Sequence, residues 1–194
     1  ENETHSQLRA HVLDATFSDS GHHSALTERL HALTDEAEAV TRSGKAAVLI
    51  ISDRAVATGE RLPIPALFVV GAVHRRLAKV GLRRNTSLVV ETGGVHKSHD
   101  LAVLIAYGAT AVNPFAMFHL AKDTPKVTPA VARDNLVKSL VSGLRRIMSK
   151  MGVCTIAGYR GSVLFEAIGL SPEVVDYYLP RTQTRIGGMT IPDI

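Results

Sequence analysis

"AAVLIISDR", residues 46–54, decides how the chain folds. Its apolar run is uninterrupted, as a strand buried on both faces of a sheet requires, and it stops abruptly at Ser52, Asp53 and Arg54. Such a strand belongs in a parallel sheet, between layers of crossover helices. The flanking segments agree. Upstream, residues 24–43 place Leu26, Leu30, Leu33, Ala37 and Val40 at helical spacing and stop at Gly44. Before them, "HVLDATF" reads as a short strand closing on Asp14 and Thr16, followed by the loop "SDSGHH". Downstream, Pro65 suits the first turn of a helix that runs to Gly81. "SLVVETGG" is another strand, "HKSHDLAVLIAYG" a helix, "ATAVNP" a very short strand and "FAMFHLA" a helical turn or two. A long helix from Ala130 to Met151 leads into "VCTI", which reads as a buried closing strand. Strand and helix therefore alternate, which predicts an α/β fold: a parallel sheet of roughly five strands with alternating helices, resembling an open or partial β/α barrel.

The bulk numbers bound the rest. With 194 residues, 45% hydrophobic and 21% charged, one α/β domain over residues 1–194 is expected, and the polar start "ENETHSQ" points to disorder over residues 1–10. Aromatics are scarce at 5%, so the core must be built from Ala, Val, Leu and Ile. The net charge is +4 and the pI about 9.4, but basic residues sit beside apolar ones, as in "VHRRLAKVGLRR". That is the pattern of a solvated helix face, and no nucleic-acid partner is expected. A single cysteine, Cys154, rules out an intramolecular disulfide. Apolar runs such as "ALFVVGAV" stop well short of the ~18 residues that span a membrane, so a soluble, cytoplasmic protein with no membrane partner is expected.

Every expected strand ends in polar residues: Asp14-Ala15-Thr16, Ser52-Asp53-Arg54, Glu91-Thr92-Gly93, Asn113-Pro114 and Gly158-Tyr159-Arg160. In parallel α/β folds these carboxyl ends share one edge, where ligands bind. The same residues would also serve as helix caps and as mutual ion pairs across a buried edge. In either case Asp14, Asp53, Glu91, Asn113 and Arg160 should share that edge, with Arg160 against Asp53 or Glu91. Tyr159 and Arg160 read as exposed between Gly158 and Gly161, and Lys150 sits near the negative end of a helix dipole. His96 and His99 lack the companions of a zinc motif, and "ETGG" is weak as an anion loop.

A resemblance adds to this reading. "LIISDR", "IPALFVVGAVHRRL", "LVVETGGVHKSHDLAVLIAYGATAVNPF", "GLRRIMSKMGVCTIAGYRGSVLFEAIGL" and "RTQTRIGG" run in unbroken order from Leu13 to Gly188. Together they resemble the central domain of the glutamate synthase large chain, in its C-terminal portion before the FMN-binding barrel. The resemblance implies part of an enzyme that converts glutamine, 2-oxoglutarate and two electrons into two glutamates. It implies a connector that supports the amidotransferase and FMN-binding domains and walls the ammonia tunnel between them, inactive by itself. FMN and an iron–sulfur cluster would belong to the parent enzyme and no cofactor to this chain. The chain starts at Glu1, with no cysteine nucleophile there, and lone Cys154 cannot supply the cluster's three thiolates. On this reading Asp14, Thr16, Asp53, Arg54, Glu91, Thr92, Asn113, Lys150, Tyr159 and Arg160 are strand-end or interface residues, and a homodimer could form through uncovered faces. Departures stand at Gly94-Val95-His96-Lys97, at His99-Asp100 and at His74-Arg75-Arg76. They leave a second reading: a stand-alone, diverged relative that binds a small anion at the carboxyl edge of the strands.

Overall fold

The computed structural model describes residues 9–18, 24–162 and 164–194. Among these, four strands form the main sheet: β1 (Ala10–Asp14), β3 (Val48–Ser52), β5 (Ser87–Glu91) and β6 (Ala111–Asn113), in the order β1-β3-β5-β6. All three pairings are parallel. Two residues of β2 (Thr16–Phe17) pair antiparallel with β4 (Leu62–Pro63). The disorder expected over residues 1–10 falls outside the described residues for 1–8; Arg9 accepts from the amides of Ala47 and Val48, and Ala10 opens β1. Residues 19–23 of the expected "SDSGHH" loop also lie outside the described residues.

The helices follow from periodicity. Helix α1 (Ala25–Arg42) buries Leu26, Leu30, Leu33 and Ala37, and α2 (Ala66–Lys79) buries Phe68, Val69, Val70, Val73 and Leu77. Pro65 is the N-cap of α2, one position earlier than expected. Helices α3 (Ser98–Ala106), α4 (Phe115–Ala121) and α5 (Pro129–Lys150) complete the alternation, and the Thr128 hydroxyl accepts from the Val131 amide at the start of α5. Leu13, Leu49, Ile51, Leu88 and Val90 pack with residues of α1, α2 and α3 in one core. The neighbouring residues of the same strands face the other way and are less covered: Ile50 and Val89 are half-buried and Val12 is 55% exposed. The sheet is therefore covered on one face and partly open on the other, a correction to the expectation of burial on both.

"VCTI" is not a strand. Val153–Thr155 are irregular, Cys154 is exposed, and Ile156–Tyr159 form the short helix α6, capped by the Thr155 hydroxyl accepting from the Gly158 amide. Four apolar or small residues suit a strand and a helical turn equally by periodicity. The packing partner decided it, because this segment lies against α3 and α5, not against a sheet edge. Tyr159, expected exposed, is fully buried with Ala102, Ile105, Ala106, Leu144 and Met148. The main sheet thus has four strands where roughly five were expected. A further unit follows: β7 (Glu166–Leu170), α7 (Pro172–Tyr178) and β8 (Gln183–Met189), in which β7 and β8 pair in parallel with register shifts. Helix α7 joins the main core through Val174, Val175 and Tyr178.

Candidate functional site: the strand-end rim

The parallel register places Asp14 opposite Ser52, Ser52 opposite Glu91 and Glu91 opposite Asn113. Four strand ends are thereby aligned along the carboxyl edge. Glu91 is the hub. One carboxylate oxygen accepts from the Ser52 hydroxyl at 2.8 Å, and the other from Arg54 Nε at 2.8 Å and Asn113 Nδ2 at 3.2 Å. Burial pushes the Glu91 carboxyl up, but these hydrogen bonds and the Arg54 charge outweigh it and hold the carboxyl below its usual range. The Arg54 guanidinium also lies over the Phe115 ring, 4.4 Å from its centre.

A second cluster surrounds Asp14. Its carboxylate accepts from the Thr16 hydroxyl at 2.7 Å and pairs with Arg61 at 3.2 Å. Arg61 donates to the Thr16 hydroxyl and carbonyl, and Arg29 to the carbonyls of Asp14 and Thr16. Asp53, 8% exposed, accepts from the Thr92 hydroxyl and from the Gly93 amide at 3.0 Å, while the Thr92 hydroxyl accepts from the Gly94 amide. Every acid of the rim is thus partnered. Beside it, a cavity of about 420 Å³ lies between the start of α2 and α3, lined mainly by Pro65, Leu67, Val95, Val103 and Leu104.

Arg160 is elsewhere. The expectation that it meets Asp53 or Glu91 fails because the segment before it is a helix packed on α3, which turns the chain out at the opposite edge. The Gly161 amide donates to the Ala106 carbonyl at the end of α3, before β6 begins. Arg54 takes the partner foreseen for Arg160. The Tyr159 hydroxyl and Arg160 Nε are both buried without a hydrogen-bond partner among the described residues. Burial raises the pKa of Tyr159. Lys150 is exposed at the last position of α5. Sequence reasoning missed Arg29 and Arg61 as rim residues, and the signal was faint: Arg61 precedes a proline loop with no periodic context.

His74 lies with Arg83, also near the amino-terminal edge. Arg83 donates to His74 Nδ1 at 3.0 Å and to the carbonyls of Thr86 and Gly108. Burial, then the charges of Arg83, Arg160 and Arg181, lower the His74 pKa to about 4. As pH falls, the unfolded chain therefore takes up this proton first. Stability is full above the unfolded value near 6.5 and declines until the folded group titrates near 4, a loss of about 2 kcal/mol. Urea unfolding at pH 7 and at pH 4 should show this loss, and His74→Gln should flatten it. The Glu91 contribution, with its lowered pKa, fades only at more acid pH.

The architecture, a parallel sheet with alternating helices, is similar in fold to part of solved β/α-barrel structures. A flavocytochrome b2 mutant with pyruvate bound superposes with a TM-score of 0.57 at 18% identity, over 66% of this chain and 31% of that one. The flavin-binding domain of baker's yeast flavocytochrome b2 gives 0.55 at 17% identity, over 75% and 37%. These likenesses describe the fold. By sequence, residues 1–171 match the glutamate synthase central domain, and the chain belongs to that family. It is 35% identical to the glutamate synthase [NADPH] large chain of Bacillus subtilis, over 98% of this chain and 12% of that protein. It is also 35% identical to the chloroplastic ferredoxin-dependent glutamate synthase of Oryza sativa subsp. japonica, over 97% of this chain and 13% of that one. The chain thus spans about an eighth of these relatives.

Proposed function

We propose that the chain serves as the central domain of a glutamate synthase, joining amidotransferase and FMN-binding domains and walling an ammonia passage, without catalysing a step itself. The supporting observation is an apolar surface that the chain leaves uncovered. On β7 and β8, Ile168 is 69% exposed, Ile186 61% and Met189 47%. Clustered exposure of this kind marks a surface that meets other protein. The relatives provide such protein in the other seven-eighths of their length.

The residues present do not fit the parent's cofactors. Even a cluster that uses histidines for part of its ligands needs two thiolates, and the chain has one cysteine. An FMN phosphate at the carboxyl edge would need a free cation, and there Arg54 and Arg61 are paired with Glu91 and Asp14 while Arg29 donates to the carbonyls of Asp14 and Thr16. FMN and the cluster are assigned to other parts of the enzyme, whose setting is proposed to be cytoplasmic. Among the described residues no helix is long and apolar enough to cross a membrane.

Two measurements on the 194-residue chain test the proposal. Fluorescence titration should show no saturable FMN binding. Light scattering should show concentration-dependent dimers that Ile168→Lys with Ile186→Lys weakens at least tenfold, since two apolar anchors are lost from the surface. A strict monomer with a micromolar FMN site would overturn it.

A further inference from the structure

All-parallel sheets occur almost only with both faces covered, and the main sheet has one face covered and one partly open. Leu13, Leu49, Ile51, Leu88 and Val90 point into the core under the helices. On the other face the register sets Val12, Ile50, Val89 and Ala111 in one row across all four strands. Val12 is 55% exposed, Ala111 is exposed, and Ile50 and Val89 are half-buried. Val and Ile are the residues that fill the interior layers of a closed β/α barrel. Both edges of the sheet are open as well: among the described residues β1 pairs only with β3, and β6 only with β5. An open apolar face between two unpaired edges is what one half of a β/α barrel presents, and the fold likeness is to part of such a barrel.

We propose that two copies of the chain close this sheet into one eight-stranded β/α barrel, related by a twofold axis along the barrel, with β6 of each copy beside β1 of the other. The partner must bring parallel strands that run in the same direction, helices on its outer face and an apolar inner face. A second copy has all three, and rotation about the barrel axis keeps every strand parallel. Closure pairs both open edges at once, which a single added strand or a docked helix does not. It also leaves no charge unpaired. At the carboxyl end of the same face Asp14 is paired with Arg61 and Glu91 with Arg54, so both carboxylates enter the closed barrel with their counter-ions. The surface of β7 and β8 takes no part, because those strands form a separate two-stranded sheet.

The test uses the 194-residue chain carrying Ile168→Lys and Ile186→Lys, so that association through β7 and β8 is suppressed. Light scattering should approach twice the 20.8 kDa of one chain as concentration rises. Val12→Glu should weaken this association about tenfold or more, because it places a lone carboxylate in a dry layer. Circular dichroism should show that variant folded, since Val12 is exposed in the single chain. Hydrogen exchange separates closure from two open faces merely stacked: the outward amides of β1 and β6 should gain protection as concentration rises. A monomer at every concentration, its open face left to strands of another chain, would overturn the proposal. So would a dimer whose β1 and β6 amides exchange as in the monomer, or one that Val12→Glu leaves intact. A monomer would leave the connector reading standing, since FMN titration decides that separately.

Discussion

Gly71→Ala should destabilise the chain by about 3 kcal/mol, although alanine is the better helix former by about 1 kcal/mol. Gly71 lies inside α2, where propensity by itself predicts a gain. The gain is overruled by an approach of backbone to helix. A Cβ at Gly71 would stand 2.0 Å from the Tyr178 carbonyl oxygen and 3.1 Å from its carbon. These are backbone atoms at the end of α7, so no rotamer change relieves the overlap. Relief requires α7 to withdraw, and with it Val174, Val175 and Tyr178, which are at most 3% exposed in the core. Urea unfolding measures the loss directly. A neutral or stabilised Gly71→Ala would mean that α7 is not seated on α2.

The second large effect is expected at Asp53. Asp53→Ala removes the acceptor for the Thr92 hydroxyl and the Gly93 amide together, and Thr92 is 2% exposed. Buried donors left unpaired cost about 1–3 kcal/mol each, so the combined loss should reach about 3 kcal/mol. Asp53→Asn keeps one oxygen in place and should lose about half as much. If Asp53→Ala unfolds at the native urea concentration, the Thr92–Gly93 turn is held by something other than Asp53.

That Asp14, Asp53, Glu91 and Asn113 would lie along one edge was legible in the sequence, and the register places Asp53 there directly after Ser52. Parallel strands joined by helices must end on one edge, and each strand announced its end by a change from apolar to polar. Helices α1, α2 and α5 were legible for the same kind of reason, since their apolar residues recur over several turns. Arg160 was misplaced through a single error upstream. A short apolar run cannot tell a strand from a helical turn, and the residue that follows it emerges at a different edge in the two cases. The unit of β7 and β8 went unread because "EAIGL" and "QTRIGGM" mix glycine and charge into short strands, and their pairing depends on contacts rather than on pattern.

The strand order of the main sheet also has a bearing on biosynthesis. Because β1, β3, β5 and β6 lie side by side in the order in which they are made, each new strand docks on the edge its predecessor has just completed. A ribosome could release this sheet unit by unit, without any strand waiting for a neighbour encoded much later. Helix α7 breaks that progression. Arg75 of α2 donates to the carbonyls of Asp176 and Tyr177, 101 and 102 residues further on, and those bonds form only after that stretch has emerged. Helix α2 is thus left with an unclasped face while about a hundred further residues are made, and the nascent chain is vulnerable to misassociation there.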